Sequence, residues 1–363
     1  MLTALLVIVI LVFLIVTHEF GHFIMAKIFG VRVEEFGVGY PPRAFTFGRW
    51  GGTEYTLNWI PFGGFVRLFG EDAEAHGVGS FVDAKRWKQA IILVAGVVMN
   101  IIVAWLLFAT ALHAGVPRVV SDTLSRDPSA TLMISDVVVG SPAAAAGIVA
   151  GDTITNITDE NGITLSVLAP SAVSNFIKTR GGEHVTINYV HEKKPETASV
   201  VPANAVIPGA AATPALGVGL VEISTVALPW SAALTQGLTN TYNAFVTIAQ
   251  SLWHLVIGAF RGAANLQDVV GPVGLVGVVG SAVQNGFGQV LALAGFIAVN
   301  LAIVNLIPIP VLDGGRLVVV ALEAVTRRSV PRLAVQLLNT VGIALIILLM
   351  VTVTYHDIIH LFA

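Results

Sequence analysis

The sequence contains no cysteine and little charge. The absence of cysteine from all 363 residues excludes disulfide bonds and thiolate metal ligands. Any metal ion must therefore be held by histidine or carboxylate side chains. Charged residues make up 11% of the chain and hydrophobic residues 55%, whereas a soluble domain carries roughly 25% charged residues. This shortage of charge predicts a polytopic membrane protein.

The charge balance also argues against nucleic acid as a partner, because the formal net charge is −3 and binding to phosphates requires basic clusters. The lipid bilayer is the expected partner instead. A cleaved signal peptide is the alternative interpretation of the N-terminus, but residues 1–17 contain no Lys or Arg, and a signal peptide begins with a positively charged region. We therefore expect a retained membrane span.

Four apolar segments are long enough to cross the roughly 30 Å hydrocarbon layer as helices. They are residues 2–26, 90–112, 290–309 and 333–353. Basic residues concentrate in the loops between the first and second spans and between the third and fourth. The positive-inside rule then places both loops in the cytoplasm, and both termini and the region between the second and third spans outside.

The remaining segments define four regions: an N-terminal membrane part (1–116), an extracytoplasmic domain (117–224), an amphipathic interfacial helix and loop (225–285), and a C-terminal membrane part (286–363). The apolar stripe of the helix could alternatively belong to the core of the extracytoplasmic domain or to a fifth span. Residues 31–69 contain four short β-prone segments separated by Gly/Pro turns, which predicts a membrane-associated β-meander on the cytoplasmic side. An irregular basic loop is the alternative there.

Two histidines and a glutamate interrupt the first span as "HEFGH", residues 18–22. His18 and His22 are four residues apart and therefore lie on one face of a helix. This is the H-E-x-x-H pattern of zinc metalloproteases, with Glu19 as general base. Ionisable groups at membrane depth are costly unless they are paired or functional. The pattern therefore predicts one Zn²⁺ ion held by His18 and His22.

The third metal ligand must come from another segment, because a catalytic zinc ion usually has three protein ligands and an open position. In "NLIPIPVLDGGR", residues 305–316, Asp313 follows the end of the third span. Pro308 and Pro310 remove helical donors and break the helix, which would let Asp313 turn back toward the histidines. A local turn-capping role for Asp313 is the alternative.

A second histidine pair, in "HDIIH" at residues 356–360, has similar spacing. The predicted topology places it on the outer side, where no third ligand is expected. We interpret these histidines as interfacial residues at a helix end.

"HEFGH", "NLIPIPVLDGG" and the domain between them resemble the site-2 protease family of intramembrane zinc metalloproteases, in particular the bacterial RseP type (regulator of sigma-E protease). "PFGGFVRLFGED" (61–72), "WKQAIILVAGVVMN" (87–100) and "VVGPVG" (269–274) also match. The resemblance implies regulated intramembrane proteolysis of single-pass transmembrane proteins, such as anti-sigma factors or signal-peptide remnants, after a first cleavage by another protease.

Substrate-binding roles follow from the same resemblance. The β-segments would present an edge strand beside the zinc ion, and an extended substrate could pair with it. Gly63, Gly64, Pro308 and Pro310 are the candidate substrate-binding residues. Asn305 could donate to the developing oxyanion or to the substrate backbone, and its alternative role is helix packing.

The extracytoplasmic domain contains "VVVGSPAAAAGIVAGDTITNITDENG", residues 137–162, which resembles the signature of bacterial α+β PDZ domains. We expect one PDZ domain, whereas the best-known sigma-E proteases carry two in tandem. It would either bind a peptide C-terminus as a tether or exclude substrates with large outer domains as a filter, and we favour the filter.

Two other functional classes remain open from the sequence. A membrane zinc transporter would also place histidine and aspartate in spans, but it needs a polar path to both faces. A catalytically silent PDZ scaffold would not need Glu19 beside the ligands.

Overall fold

The computed structural model describes residues 2–71, 75–120, 130–191, 194–204, 213–261, 271–328 and 330–362. They form two compact units, 1–114 with 228–363 (the membrane unit) and 115–227 (the sheet unit). Nine helices lie in the described ranges: α1 Leu2–Ile28, α2 Arg86–Ala114, α3 Pro142–Ala145, α4 Pro170–Lys178, α5 Trp230–Phe260, α6 Pro272–Gln284, α7 Phe287–Leu306, α8 Asp313–Thr326 and α9 Arg332–Phe362.

Four of these helices are long and apolar enough to cross a membrane, within the described part of the chain: α1, α2, α7 and most of α9. The prediction of four spans is confirmed at this level. Helix α7, which corresponds to the predicted third span, ends at Leu306 rather than at residue 309. Ile307 is extended, with φ −63° and ψ 137°, because the ring of the following Pro308 disfavours the helical conformation at the residue before it.

Five helices of the membrane unit, α1, α2, α5, α6 and α7, contribute to one apolar cluster. α5 is not among the helices apolar enough to span, yet its residues Phe245, Ile248 and Leu252 pack into this cluster with residues of α1, α2 and α7. α6 is a helix where the sequence predicted a loop. Pro272 stands at its first turn, where a missing N–H is tolerated. The Asp357 carboxylate accepts hydrogen bonds from the N–H groups of Gly271, Val273 and Gly274, which satisfies the helix N-terminus.

A small antiparallel sheet in the membrane unit consists of β1 (Val33–Trp50) and β2 (Thr53–Leu68). Both strands bend, so four arms, residues 33–38, 43–50, 53–58 and 64–68, pair separately. Phe36 lies opposite both Val66 and Tyr55, and Phe45 lies opposite Leu57. The spatial order is therefore 43–50, 53–58, 33–38, 64–68.

This order differs from the predicted β-meander, in which consecutive segments would be neighbours. Gly51 and Gly52 form the turn of "RWGG" with positive φ. "PFGG" was another of the predicted Gly/Pro turns, but it lies inside β2, where Gly63 adopts a φ of +88°. This left-handed conformation favours glycine, and the bend returns the arm 64–68 to the far side of the arm 33–38.

The sheet unit contains six antiparallel strands in the spatial order β3-β8-β4-β5-β6-β7 among its described residues. Its core consists mainly of Ile, Leu and Val side chains from the sheet together with Val173, Phe176 and Ile177 of α4. α3 begins at Pro142, and the Ser141 hydroxyl caps it by accepting from the Ala144 N–H. The strands are β3 Arg118–Val120, β4 Thr131–Val137, β5 Thr153–Asp159, β6 Val185–His191, β7 Lys194–Val200 and β8 Val218–Ser224.

Candidate metal centre

His18 and His22 lie one turn apart on the buried face of α1. The two residues are 6% and 7% exposed, and their Nε2 atoms are 3.1 Å apart. The helical period alone explains why they share a face. What the period does not explain is how two imidazoles can be buried so deeply.

Close packing of α1 on α2 creates the room. A methyl group added to Gly21 would lie 2.4 Å from the Ala95 carbonyl oxygen, and one on Gly96 would lie 2.5 Å from His22 Nε2. Glycine at both positions therefore lets the helix backbones approach and seats the imidazoles against α2. The His22 Nδ1 atom lies 2.7 Å from the Ile92 carbonyl oxygen. Because a carbonyl only accepts, Nδ1 of His22 carries a proton, and in the neutral imidazole the Nε2 atom then has the lone pair that a metal ion would bind.

Asp313 meets both histidines from the start of α8. Its Oδ2 atom lies 2.9 Å from His18 Nε2 and 3.2 Å from His22 Nε2. Burial would raise the pKa of Asp313, but the hydrogen bonds with the two imidazoles outweigh burial and hold its pKa below the ordinary value. The carboxylate is therefore ionised at neutral pH.

The segment 307–312 directs Asp313 into the site. Methyl groups on Gly314 and Gly315 would lie 2.3 Å and 2.2 Å from the carbonyl oxygens of Ile307 and Ile309, so the chain can fold back here only with glycine. Val311 has a φ of +86°, which is a strained conformation for a β-branched residue. Such strain persists where surrounding structure enforces it, often at functional sites.

The donor set fits a metal ion. One ligand atom from each of His18, His22 and Asp313 lies within 4.8 Å of the others. The Nε2 atom of His22 and the Oδ2 atom of Asp313 are 3.2 Å apart. With a neutral His22 both atoms would be acceptors, and two such acceptors repel unless a proton or a cation lies between them. Two imidazoles and one carboxylate are the ligands of many catalytic zinc sites.

Glu19 points to the sheet of the membrane unit. Its Oε2 atom accepts a hydrogen bond from the Val66 N–H at 3.0 Å, and Glu71 similarly accepts from the Leu68 N–H at 3.2 Å. Within the described residues, the arm 64–68 pairs with another strand on one side only. Two carboxylates thus occupy N–H groups on its open edge.

Of the candidate substrate-binding residues, Asn305 lies beside a histidine, Gly64 lies near Glu19, and the others contact different residues. The Asn305 Nδ2 atom is 3.4 Å from His18 Nε2. A methyl group on Gly64 would lie 3.9 Å from the Cγ atom of Glu19, whereas one on Gly63 would lie 2.9 Å from the Tyr40 ring. Pro308 and Pro310 line a cavity of about 500 Å³ that also includes Glu71, Arg316 and Glu323.

Sequence reasoning missed Asn100 of α2, whose Nδ2 atom lies 3.4 Å from His18 Nδ1. A lone amide inside an apolar span was the signal that could have identified it. The interpretation of the second histidine pair as interfacial stays a prediction, because the side chains of His356 and His360 lie outside the described part of the chain.

Comparison with known families assigns the chain. The profile described as peptidase family M50 matches residues 6–362. This chain belongs to peptidase family M50. The predicted membership of the site-2 protease family is thereby confirmed, and with four apolar helices the M50 peptidase is a membrane protein.

Individual relatives span almost the whole M50 chain. A candidate zinc metalloprotease of Clostridium perfringens is 32% identical over 355 residues, covering 95% of each chain. The zinc metalloprotease RasP of Oceanobacillus iheyensis is 26% identical, covering 96% of this chain and 97% of that protein. RasP of Shouchella clausii is 28% identical, with 96% and 97% covered. The similarity therefore extends over nearly the full length of the chain.

Proposed function

We propose that this M50 peptidase is an intramembrane zinc metalloendopeptidase that hydrolyses peptide bonds within transmembrane segments of single-pass proteins. The observation that carries the proposal is the convergence of His18, His22 and Asp313 beside Glu19. These three side chains would hold one Zn²⁺ ion. When bound, zinc would polarise the scissile carbonyl and lower the pKa of water to about 7.

Glu19 would act as general base and then as general acid. It would take a proton from the attacking water and later deliver it to the leaving amine. Asn305, with Nδ2 3.4 Å from His18 Nε2, would donate to the carbonyl oxygen as negative charge develops there. A zinc transporter or a silent scaffold has no use for the proton transfer by Glu19.

The open edge of the arm 64–68 would hold the substrate. A transmembrane helix resists hydrolysis because its carbonyls are already hydrogen-bonded within the helix, so the substrate must unwind first. Strand addition would then satisfy its exposed backbone groups. A substrate carbonyl that accepts from the Val66 N–H would replace the bond that Glu19 makes there. Substrate docking would thus release the general base next to the scissile bond.

The proposal includes the topology and the outer domain. Basic residues in the loops after α1 and after α8 support a cytoplasmic location of the metal centre and an outer location of the sheet unit in the bacterial inner membrane. The sheet unit would serve as a single PDZ domain that filters substrates by the size of their outer domains, with a peptide C-terminus as its candidate ligand.

The test is cleavage of a single-pass substrate by the purified full-length chain in proteoliposomes, combined with elemental analysis. Glu19→Gln should retain zinc because the ligands are intact, and cleavage should fall by about 100- to 10,000-fold because the proton acceptor is lost. Glu160→Gln, on the exposed surface of the sheet unit, is the matched control and should cleave normally. Wild-type cleavage by the Glu19 variant would refute the general-base role.

A further inference from the structure

Asn100 carries a buried amide oxygen that no neighbour satisfies. The residue lies in α2 with no exposed surface, and its Oδ1 atom has no hydrogen-bond partner among the described residues. Its Nδ2 atom lies 3.4 Å from Nδ1 of His18. Unsatisfied acceptors are uncommon in folded proteins, and each calls for an explanation.

Two side-chain amides lie beside His18. The Asn100 Nδ2 atom is 3.4 Å from its Nδ1 atom, and the Asn305 Nδ2 atom is 3.4 Å from its Nε2 atom. The Nε2 atom also lies 2.9 Å from Asp313 Oδ2 and 3.1 Å from His22 Nε2. Because a neutral imidazole has one lone-pair nitrogen, the two amides cannot both direct an N–H group at a lone pair of His18.

A metal ion would fix the tautomer of His18. The Nε2 lone pair must face the ion, so the proton must be on Nδ1, where it needs an acceptor. His22 already has this arrangement, because its Nδ1–H donates to the Ile92 carbonyl. Ligand histidines typically donate their second N–H to such a group, which fixes both tautomer and ring orientation.

We propose that Asn100 is a positioning residue that selects the tautomer of His18 by turning over its side-chain amide. A half turn exchanges the nearly isosteric amide oxygen and nitrogen. Oδ1 then accepts from the His18 Nδ1–H and leaves Nε2 free to bind the metal. The otherwise unpartnered oxygen thus gains its function in the metal-bound state. The inference rests on the proposed metal site and extends it to α2.

The test measures zinc affinity by chelator competition, with the visible spectrum of the Co²⁺-substituted protein as a second readout, on the full-length chain in detergent. Asn100→Leu keeps the approximate volume but removes the acceptor, and its zinc affinity should fall by about 10- to 100-fold. Asn100→Asp keeps the acceptor and removes the donor, so its affinity should be at least that of the wild type. Thr241→Val removes another buried polar group of the membrane unit and should leave affinity unchanged.

Each result decides the matter. Wild-type affinity and an unchanged Co²⁺ spectrum in Asn100→Leu would overturn the proposal. A tenfold loss in Asn100→Asp would also overturn it, whether or not the leucine variant folds, because the acceptor is still present. Failure of the proposed function is distinguishable, since the wild-type chain would then bind no zinc that depends on Asp313.

Discussion

The two units bury carboxylates in different ways. In the sheet unit, Asp159 accepts hydrogen bonds from the backbone N–H groups of Asn161 and Ile163 at 3.0 Å and 2.8 Å, and from Arg180 Nε at 2.8 Å. Every one of these partners is a donor. In the membrane unit, Asp313 faces two imidazoles on a helix almost 300 residues earlier in the chain, with its Oδ2 atom 2.9 Å from His18 Nε2 and 3.2 Å from His22 Nε2.

This difference separates a structural carboxylate from a ligand. A buried charge surrounded by donors is satisfied and contributes to folding. At Asp313, by contrast, ligand atoms of two histidines and the carboxylate lie within 4.8 Å of one another. This arrangement in the membrane unit suits a cation, whereas the donors around Asp159 in the sheet unit leave no place for one.

Replacing Asp313 or Asp159 with asparagine should produce the largest difference between the two units, in zinc content and in cleavage. Asp313→Asn should lose most of its zinc, and cleavage should fall by at least about 100-fold, since even outer-shell changes cost 10- to 100-fold. Asp159→Asn, His356→Ala and His360→Ala should keep their zinc. Elemental analysis of the purified variants checks this, and equal zinc loss from the C-terminal histidine pair would show that the chosen ligand set is wrong.

The packing that brings the ligands together can be tested without touching them. Gly96→Ala would place a methyl group 2.5 Å from His22 Nε2 and 2.7 Å from His18 Cε1, so the imidazoles must shift. We expect cleavage to fall by about 100-fold, the typical cost of a displacement of about 1 Å in an active site. Gly277→Ala in α6 meets nothing within 4 Å and is the matched control. Normal zinc content and turnover in Gly96→Ala would contradict the proposed seating of the histidines on α2.

The smallest expected effect concerns the stability of the sheet unit. Burial would raise the pKa of Asp159, but the Ile163 N–H and the Arg180 guanidinium lower it below the ordinary value of 3.8. A depressed pKa contributes stability that is present above the ordinary pKa and lost as pH falls through the folded-state pKa. Asp159→Asn should therefore lower the unfolding temperature at pH 7. In thermal unfolding of the purified chain, the difference from wild type should shrink below pH 4, and a constant difference would contradict the electrostatic account.

Local spacing along the sequence determined the apolar helices and the shared face of His18 and His22. Both depend on helical period and on hydrophobic length, which neighbouring residues set by themselves. The end of the third span also depends on neighbouring residues. Pro308 keeps Ile307 out of the helical conformation, so the helix ends three residues before the predicted end. The motif around Asp313 indicated that this residue could lie beside the histidines, but it left a local turn-capping role open.

Tertiary structure alone decided the remaining features of the site. The bond from the Val66 N–H to Glu19 and the contact of Asn100 with His18 join residues 47 and 82 positions apart, and the order of the four sheet arms places Phe36 between Tyr55 and Val66. No local pattern encodes them, because they depend on the depth to which α1 packs on α2 and on the direction in which two long strands bend. Glycines at 21, 63 and 96 permit both outcomes, but a glycine in a sequence permits many conformations, and only the packed neighbours select one.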